Sequence, residues 1–225
     1  MKVFDVTQLW ITCERPLGLS DGRAIRGFWG NRYKNRPEFH GHKGNECVYR
    51  HPLIQYKVFG GSALVIGLKE GAYLLRAVDD LDFIEIYHEI CPVIKSNMST
   101  QHIQFGTSDA MVDYAFMTPW LGLNEENYKR YLTLKRNGLP SSELLERILI
   151  GNILSMSKAV GYVVSEELMV KATLQEGETI RVKTGVELMS FIGGFQVNFL
   201  MPDLWGIGKF SSRGYGTTKK KASGR

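Results

Sequence analysis

The sequence predicts an α+β protein, and three observations carry that prediction. Short runs alternate apolar and polar residues at the strand period, as in "KVFDVTQLWITC" over residues 2–13. Stretches with helical spacing of apolar residues separate these runs. Glycine pairs and polar clusters, Gly60-Gly61 foremost, punctuate the boundaries. A chain of 225 residues, 44% hydrophobic and 23% charged, can bury one large core or two small ones.

Residues 2–13 read as a half-buried strand. Ser20 or Asp21 then offers an N-cap for a helix to about Lys34. On a helical wheel Ile25, Phe28 and Trp29 share the core side, while Arg23, Arg26, Gly27, Gly30 and Lys34 share the opposite side. Two mid-helix glycines cost about 1 kcal/mol each against Ala. This face is therefore either left bare for a phosphate backbone or packed closely against another element. Residues 47–59 and 62–68 form a hairpin closed by Gly60-Gly61. A short helix over about 72–80 and a strand over 82–93 follow. The order βαββαβ over about 95 residues is that of a ferredoxin-like, or RRM-like, module.

Residues 94–109, "IKSNMSTQHIQFGTSD", are polar and turn-rich and read as a linker. A strand over 110–120 comes next, then helices at about 124–136 and 141–160. The second helix carries Leu144, Leu145, Ile148, Leu149 and Ile153 as a core-facing stripe. Strands are expected within 161–170, 178–188 and 194–202. The whole predicts two packed ferredoxin-like domains, residues 1–95 and 96–225, the second with two helices where the module has one.

Charge is unevenly placed. Six Lys or Arg and no acid lie in the last seventeen residues, leaving 22 basic against 23 acidic residues in positions 1–208. Between Arg23 and Lys57 eight basic residues face only Glu38 and Glu46. Two basic patches on a neutral body suggest a polyanionic partner, although the tail "KKKASGR" also reads as a solvated, disordered end. No apolar run approaches the roughly 18 residues that cross a membrane. Three cysteines without CxxC spacing and a strand-like N-terminus point to a cytoplasmic protein.

The segment "FHGHKGNECVYRHPLIQYKV" puts His40, His42 and His51 within twelve positions. With Cys47 they make an irregular zinc candidate, lacking the paired ligands that structural sites use. Packing suits His51, and also His88 and His102. His40 and His42 instead lie in a polar loop beside the basic patch. Histidine exchanges protons near neutral pH, so two of them suggest a metal-free ribonuclease site. Tyr49 opens the next strand, and Lys57 is a further candidate for the protonated group. One imidazole would take the proton of the ribose 2′-OH; the second, or Lys57, would protonate the leaving oxygen.

The segment "GIGKFSSRGYGTTKK" interleaves Gly206, Gly208, Gly214 and Gly216 with Lys209, Arg213 and Tyr215. It is neither a Walker loop nor a dinucleotide fingerprint. It reads as a flexible loop whose backbone N–H groups approach phosphate, with cations and one stacking ring. Arg23 and Arg26 join these seven residues as the RNA-binding set.

Taken in order, "IRGFWGN", "FHGH", "YRHPLIQYKV" and "GIGKFSSRGYGT" resemble the CRISPR repeat-processing endoribonucleases, in the branch with a FHxH loop and a YPLIQYK-like strand. The resemblance spans nearly the whole chain. It implies two ferredoxin-like domains, no cofactor or metal, and cleavage of CRISPR repeat RNA in a precursor transcript to yield guide RNAs. His40 and His42 match the paired histidines, Tyr49 the strand tyrosine, and Gln55, Tyr56 and Lys57 the QYK. "YRHP" departs from a pattern closer to YxYP, so His51 stands at an aromatic position. The resemblance leaves open dimerisation and membership of a larger CRISPR effector complex. The alternative reading is a non-catalytic RNA-binding scaffold on the same fold, which would need no histidine pair.

Overall fold

A computed structural model describes residues 1–40, 42–43, 46–47, 50–78, 80–183 and 185–222, and for 40, 42, 43, 46, 47 and 183 only the backbone. The first half runs β1 (Lys2–Cys13), α1 (Gly22–Arg32), α2 (Pro37–His40), β2 (His42–Lys43), β3 (Glu46–Cys47), β4 (Ile54–Phe59), β5 (Ser62–Leu68), α3 (Glu70–Arg76), β6 (Phe83–Ile86) and β7 (Glu89–Phe116). The second half adds α4 (Glu125–Arg136), α5 (Ser142–Ala159), β8 (Val170–Glu176), β9 (Ile180–Lys183), β10 (Val186–Leu188), β11 (Phe191–Leu200), β12 (Trp205–Gly206) and β13 (Thr217–Lys220).

The first sheet is antiparallel with the order β7-β1-β5-β4, which is the ferredoxin-like order. Gly60 and Gly61 sit at φ 55° and 81°, the positive values that a two-residue hairpin turn demands. One face of this sheet packs on the helices: Leu9, Ile11, Tyr56 and Val65 meet Ile25 and Trp29 of α1 and Leu75 of α3. The other face joins Val6, Leu64 and Ile66 to the core of the second half. β5 is therefore buried on both sides, and "ALVIGL" reads as a continuous apolar run for that reason.

β7 serves both halves. Its residues from Val93 to Phe105 pair with β1; from Gly106 to Ala115 it pairs with β11, and near its end with β13. The order β13-β7-β11-β8 repeats the ferredoxin-like arrangement. The expected linker at 94–109 is thus the middle of a strand. Its Ser, Asn, Thr and Gln reflect solvent exposure, not irregular backbone. α4 and α5 form the helical layer of the second half, with Leu144, Leu145, Leu149 and Ile153 buried against Phe191, Phe195 and Phe199. Where the module's second helix would stand, the chain runs through β12 and a 3-10 turn at Ser211–Arg213.

Four strand expectations are corrected, one of them the run 178–188, which is a hairpin of β9 and β10 with Gly185 between them at φ 74°. The run 82–93 is a hairpin, turned at Tyr87 and His88 with φ of 52° and 71° and no glycine to announce it. The run 161–170 becomes strand only at Val170, because Gly161 (φ 67°) ends α5 and Tyr162 N–H folds back to the Ser157 carbonyl. The strand expected from Cys47 opens at Ile54, after Pro52, which has no N–H for a ladder.

Candidate nucleic-acid interface

β4 joins the two halves through alternate side chains. Tyr56 points into the first core, where its hydroxyl donates to the Phe39 carbonyl at 2.8 Å. Phe39 is buried and stacks on Tyr33 and Trp29, with ring centroids 4.6 and 5.9 Å away. The backbone that carries His40, the last residue of α2, is thereby tied to the core.

Gln55 and Lys57 point to the other side. The Gln55 amide imitates a neighbouring strand: its Nε2 donates to the Gly206 carbonyl at 2.9 Å, and Gly206 N–H donates to its Oε1 at 2.7 Å. Lys57 Nζ donates to the same Oε1 at 2.9 Å and to the Ser211 carbonyl at 3.4 Å. Trp205 Nε1 donates to His51 Nε2 at 2.9 Å. This network closes the seam between β4 and β12.

Burial lowers Lys57 to about 7, and burial followed by the Lys57 charge lowers His51 to about 3. Both are bases with depressed folded-state values, so the unfolded chain binds more protons, and stability rises with pH across each window. For Lys57 the window runs from about 7 to the ordinary 10.5. Between about pH 7.5 and 9.5 the wild type should gain roughly 2–3 kcal/mol relative to Lys57→Met, measured by urea unfolding of both. Equal pH slopes in the two proteins would contradict this account of Lys57.

Lys57 was expected among the acid–base groups. It is 0% exposed and spent on the seam, so in this conformation it cannot touch a substrate. His51 is buried as expected, but in a polar network. Its Nε2 is held by Trp205, and the side chains of the other zinc candidates, His40, His42 and Cys47, lie outside the described residues. His88 and His102 are not packing residues: both are exposed, at 3.4 Å from Glu85 and 2.7 Å from Asp5.

α1 presents its expected basic face. Arg23, Arg26, Gly27, Gly30, Asn31 and Lys34 line a groove of about 490 Å³ with Arg213 of the glycine-rich segment. Its lining holds four cations and no carboxylate. Gly27 has nothing within 4 Å of where a Cβ would stand, so the helix backbone is bare to the groove. Close packing falls instead to Gly22, whose Cβ would lie 2.5 Å from the Arg213 carbonyl oxygen. Arg213 lies over the Phe210 ring at 4.8 Å. Burial, and after it the charges of Arg26 and Arg23, push its guanidinium below the ordinary value. Burial raises the Tyr56 hydroxyl well above its ordinary value, and the Arg26 charge only partly opposes this; that hydroxyl holds the Phe39 carbonyl, one residue before His40.

The glycine-rich segment is not the flexible donor loop that its composition suggested. N–H groups of Gly206, Ile207, Lys209, Gly214, Tyr215 and Gly216 are all spent within the protein, and Gly206, Gly214 and Gly216 are buried. Its offering to a ligand is side chains: Arg213 in the groove, half-buried Tyr215, and Lys209. Lys209 and Gly208 line a separate cleft with His51, Gly122, Asn152 and Ser155. Sequence reasoning missed Asn152 and Ser155, which read as the polar side of α5.

His40 closes a helical turn, whereas His42 begins β2, where it pairs with Cys47 of β3. They do not share one extended segment, so strand alternation says nothing of their side chains. Those side chains, and Tyr49, lie outside the described residues. Among the described residues no helix is long and apolar enough to cross a membrane.

Residues 2–104 match the family model of the Cas6b N-terminal domain and residues 106–221 that of the Cas6b C-terminal domain. The chain is similar to a crystal structure of Cas6b, at 32% identity and TM-score 0.87, covering 98% of this chain and 100% of that one. A crystal structure of the CRISPR RNA processing endoribonuclease Cas6b aligns at 32% identity and TM-score 0.71, over 96% and 100%. An uncharacterized protein of Methanocaldococcus jannaschii is 43% identical over 130 residues, 57% of this chain and 86% of that one.

Proposed function

The chain belongs to the Cas6b family, and on that footing we propose that it is an endoribonuclease that cleaves CRISPR repeat RNA in a precursor transcript to release guide RNAs. The reaction is transesterification without metal. A general base removes the 2′-OH proton, the 2′-oxygen bonds to phosphorus, the P–O5′ bond breaks, and a general acid protonates the departing 5′-oxygen. The products end in a 2′,3′-cyclic phosphate and a 5′-hydroxyl.

His40 and His42 are the proposed base and acid, with Tyr49 as a positioning hydroxyl. Lys57 is a positioning residue on this reading, acting through the glycine-rich segment it holds. The observation that carries the proposal is the groove of Arg23, Arg26, Lys34 and Arg213, whose helix packs against α2, the turn that ends at His40. Cations there hold the RNA backbone and stabilise the charge that builds on phosphorus. Lys209 and Tyr215 extend the contact, while Gly206, Gly208, Gly214 and Gly216 shape the segment that presents them. The proposal is tested by incubating the protein with repeat RNA in excess EDTA and identifying the product ends.

A further inference from the structure

The separate cleft, about 220 Å³ and lined by His51, Gly122, Asn152, Ser155, Gly208 and Lys209, has its polarity set by two tryptophans. An indole has one N–H donor and no acceptor. Trp120 Nε1 donates to Asn152 Oδ1 at 3.1 Å, which uses the amide's acceptor and leaves its NH₂ group to offer. Trp205 Nε1 donates to His51 Nε2 at 2.9 Å, and Gln55 Nε2 approaches the same nitrogen at 3.2 Å. Nε2 must then be the unprotonated nitrogen, and the ring hydrogen sits on Nδ1.

His51 is 7% exposed, and burial keeps it neutral at ordinary pH. Among the described residues Nδ1 has no hydrogen-bond partner, yet it is not one of the buried polar atoms cut off without one. The ring lines the cleft. Ser155 adds a hydroxyl and Lys209 a cation, and no carboxylate lines the space. The side chains there present donors and positive charge to a volume suited to one phosphate group.

We infer that this cleft binds an oxyanion, and that the oxyanion is a backbone phosphate of the bound RNA strand. The second part rests on the proposed nuclease function. Arg213 in the groove and Lys209 in the cleft are four residues apart on one segment, so a strand crossing that segment meets both.

Asn152→Asp tests this with little change of shape. It keeps an oxygen for Trp120 and replaces the amide donor by a carboxylate oxygen. Affinity for a repeat RNA with a 2′-deoxy block at the cleavage position should fall roughly tenfold or more, with thermal stability near wild type. Lys209→Gln, away from the Trp120 contact, should weaken binding in the same direction and reduce the salt slope by about 0.7. The Asn152 side-chain amide and His51 ring resonances of the full chain should shift with that RNA and with inorganic phosphate. Shifts with inorganic phosphate but not with bound RNA would overturn the assignment to the strand and leave a free-anion site. Resonances unmoved by either, with both variants binding as wild type, would overturn the site itself. Wild-type protein that binds no repeat RNA would count against the nuclease reading, while the phosphate titration still judges the cleft.

Discussion

Replacing His40 or His42 with Ala lowers single-turnover cleavage of repeat RNA by roughly 10²–10⁴ if one is the base and the other the acid. The double mutant is then little slower than the more damaged single, because the two act as a unit. RNA affinity stays within a few-fold of wild type, since on this reading the arginine groove, not the histidine pair, carries most of the backbone contact. If one histidine only supports the other, the two singles differ widely, and His42 is the expected loser. Tyr49→Phe gives an intermediate loss. Normal cleavage by both single mutants would place the chemistry elsewhere and favour a non-catalytic RNA-binding scaffold.

The triple change of Arg23, Arg26 and Arg213 to Ala separates binding from chemistry. Each guanidinium that contacts phosphate displaces a counterion, so the slope of log affinity against log salt should flatten by about 2 for a single strand. At low salt the affinity loss should reach roughly 10²–10³. Burial, and after it the charges of Arg26 and Arg23, disfavour the charge of Arg213, so removing the cluster relieves some repulsion. Thermal stability should change far less than affinity. A variant that melts well below wild type would assign the arginines to the fold, and an unchanged salt slope would move the RNA off α1.

How much of this was legible in the sequence follows from where side chains face. The apolar periods of 2–13 and 141–160 report burial directly, and the elements stand where those patterns placed them. The basic face of α1 was equally readable, because a helix of known phase assigns Arg23, Arg26, Gly27, Gly30 and Lys34 to one side. Arg213 completes that groove from 179 residues beyond Lys34, a distance only the packing of two halves can close. The long strand β7 hid behind polar residues on its exposed faces, and the Tyr87-His88 turn behind residues that seldom adopt positive φ.

Lys57 illustrates a different failure. "QYK" signals charge and a strand, but not that Lys57 faces the second half with Gln55 while Tyr56 faces the first. In the glycine-rich segment, composition suggested flexibility. Long-range partners, among them Gln55, Pro119 and Leu121, instead consume its N–H groups. No local pattern carries that information.

The central claim, that the ribose 2′-oxygen is the nucleophile and no metal takes part, is tested most directly by one cleavage experiment in excess EDTA. It compares an all-ribose repeat RNA with one carrying a single 2′-deoxy nucleotide immediately 5′ of the scissile phosphate. The account predicts full cleavage of the first, with 2′,3′-cyclic phosphate and 5′-hydroxyl ends, and none of the second despite nearly unchanged binding. Cleavage of the deoxy substrate, or cleavage that requires added metal and leaves a 5′-phosphate, would contradict it.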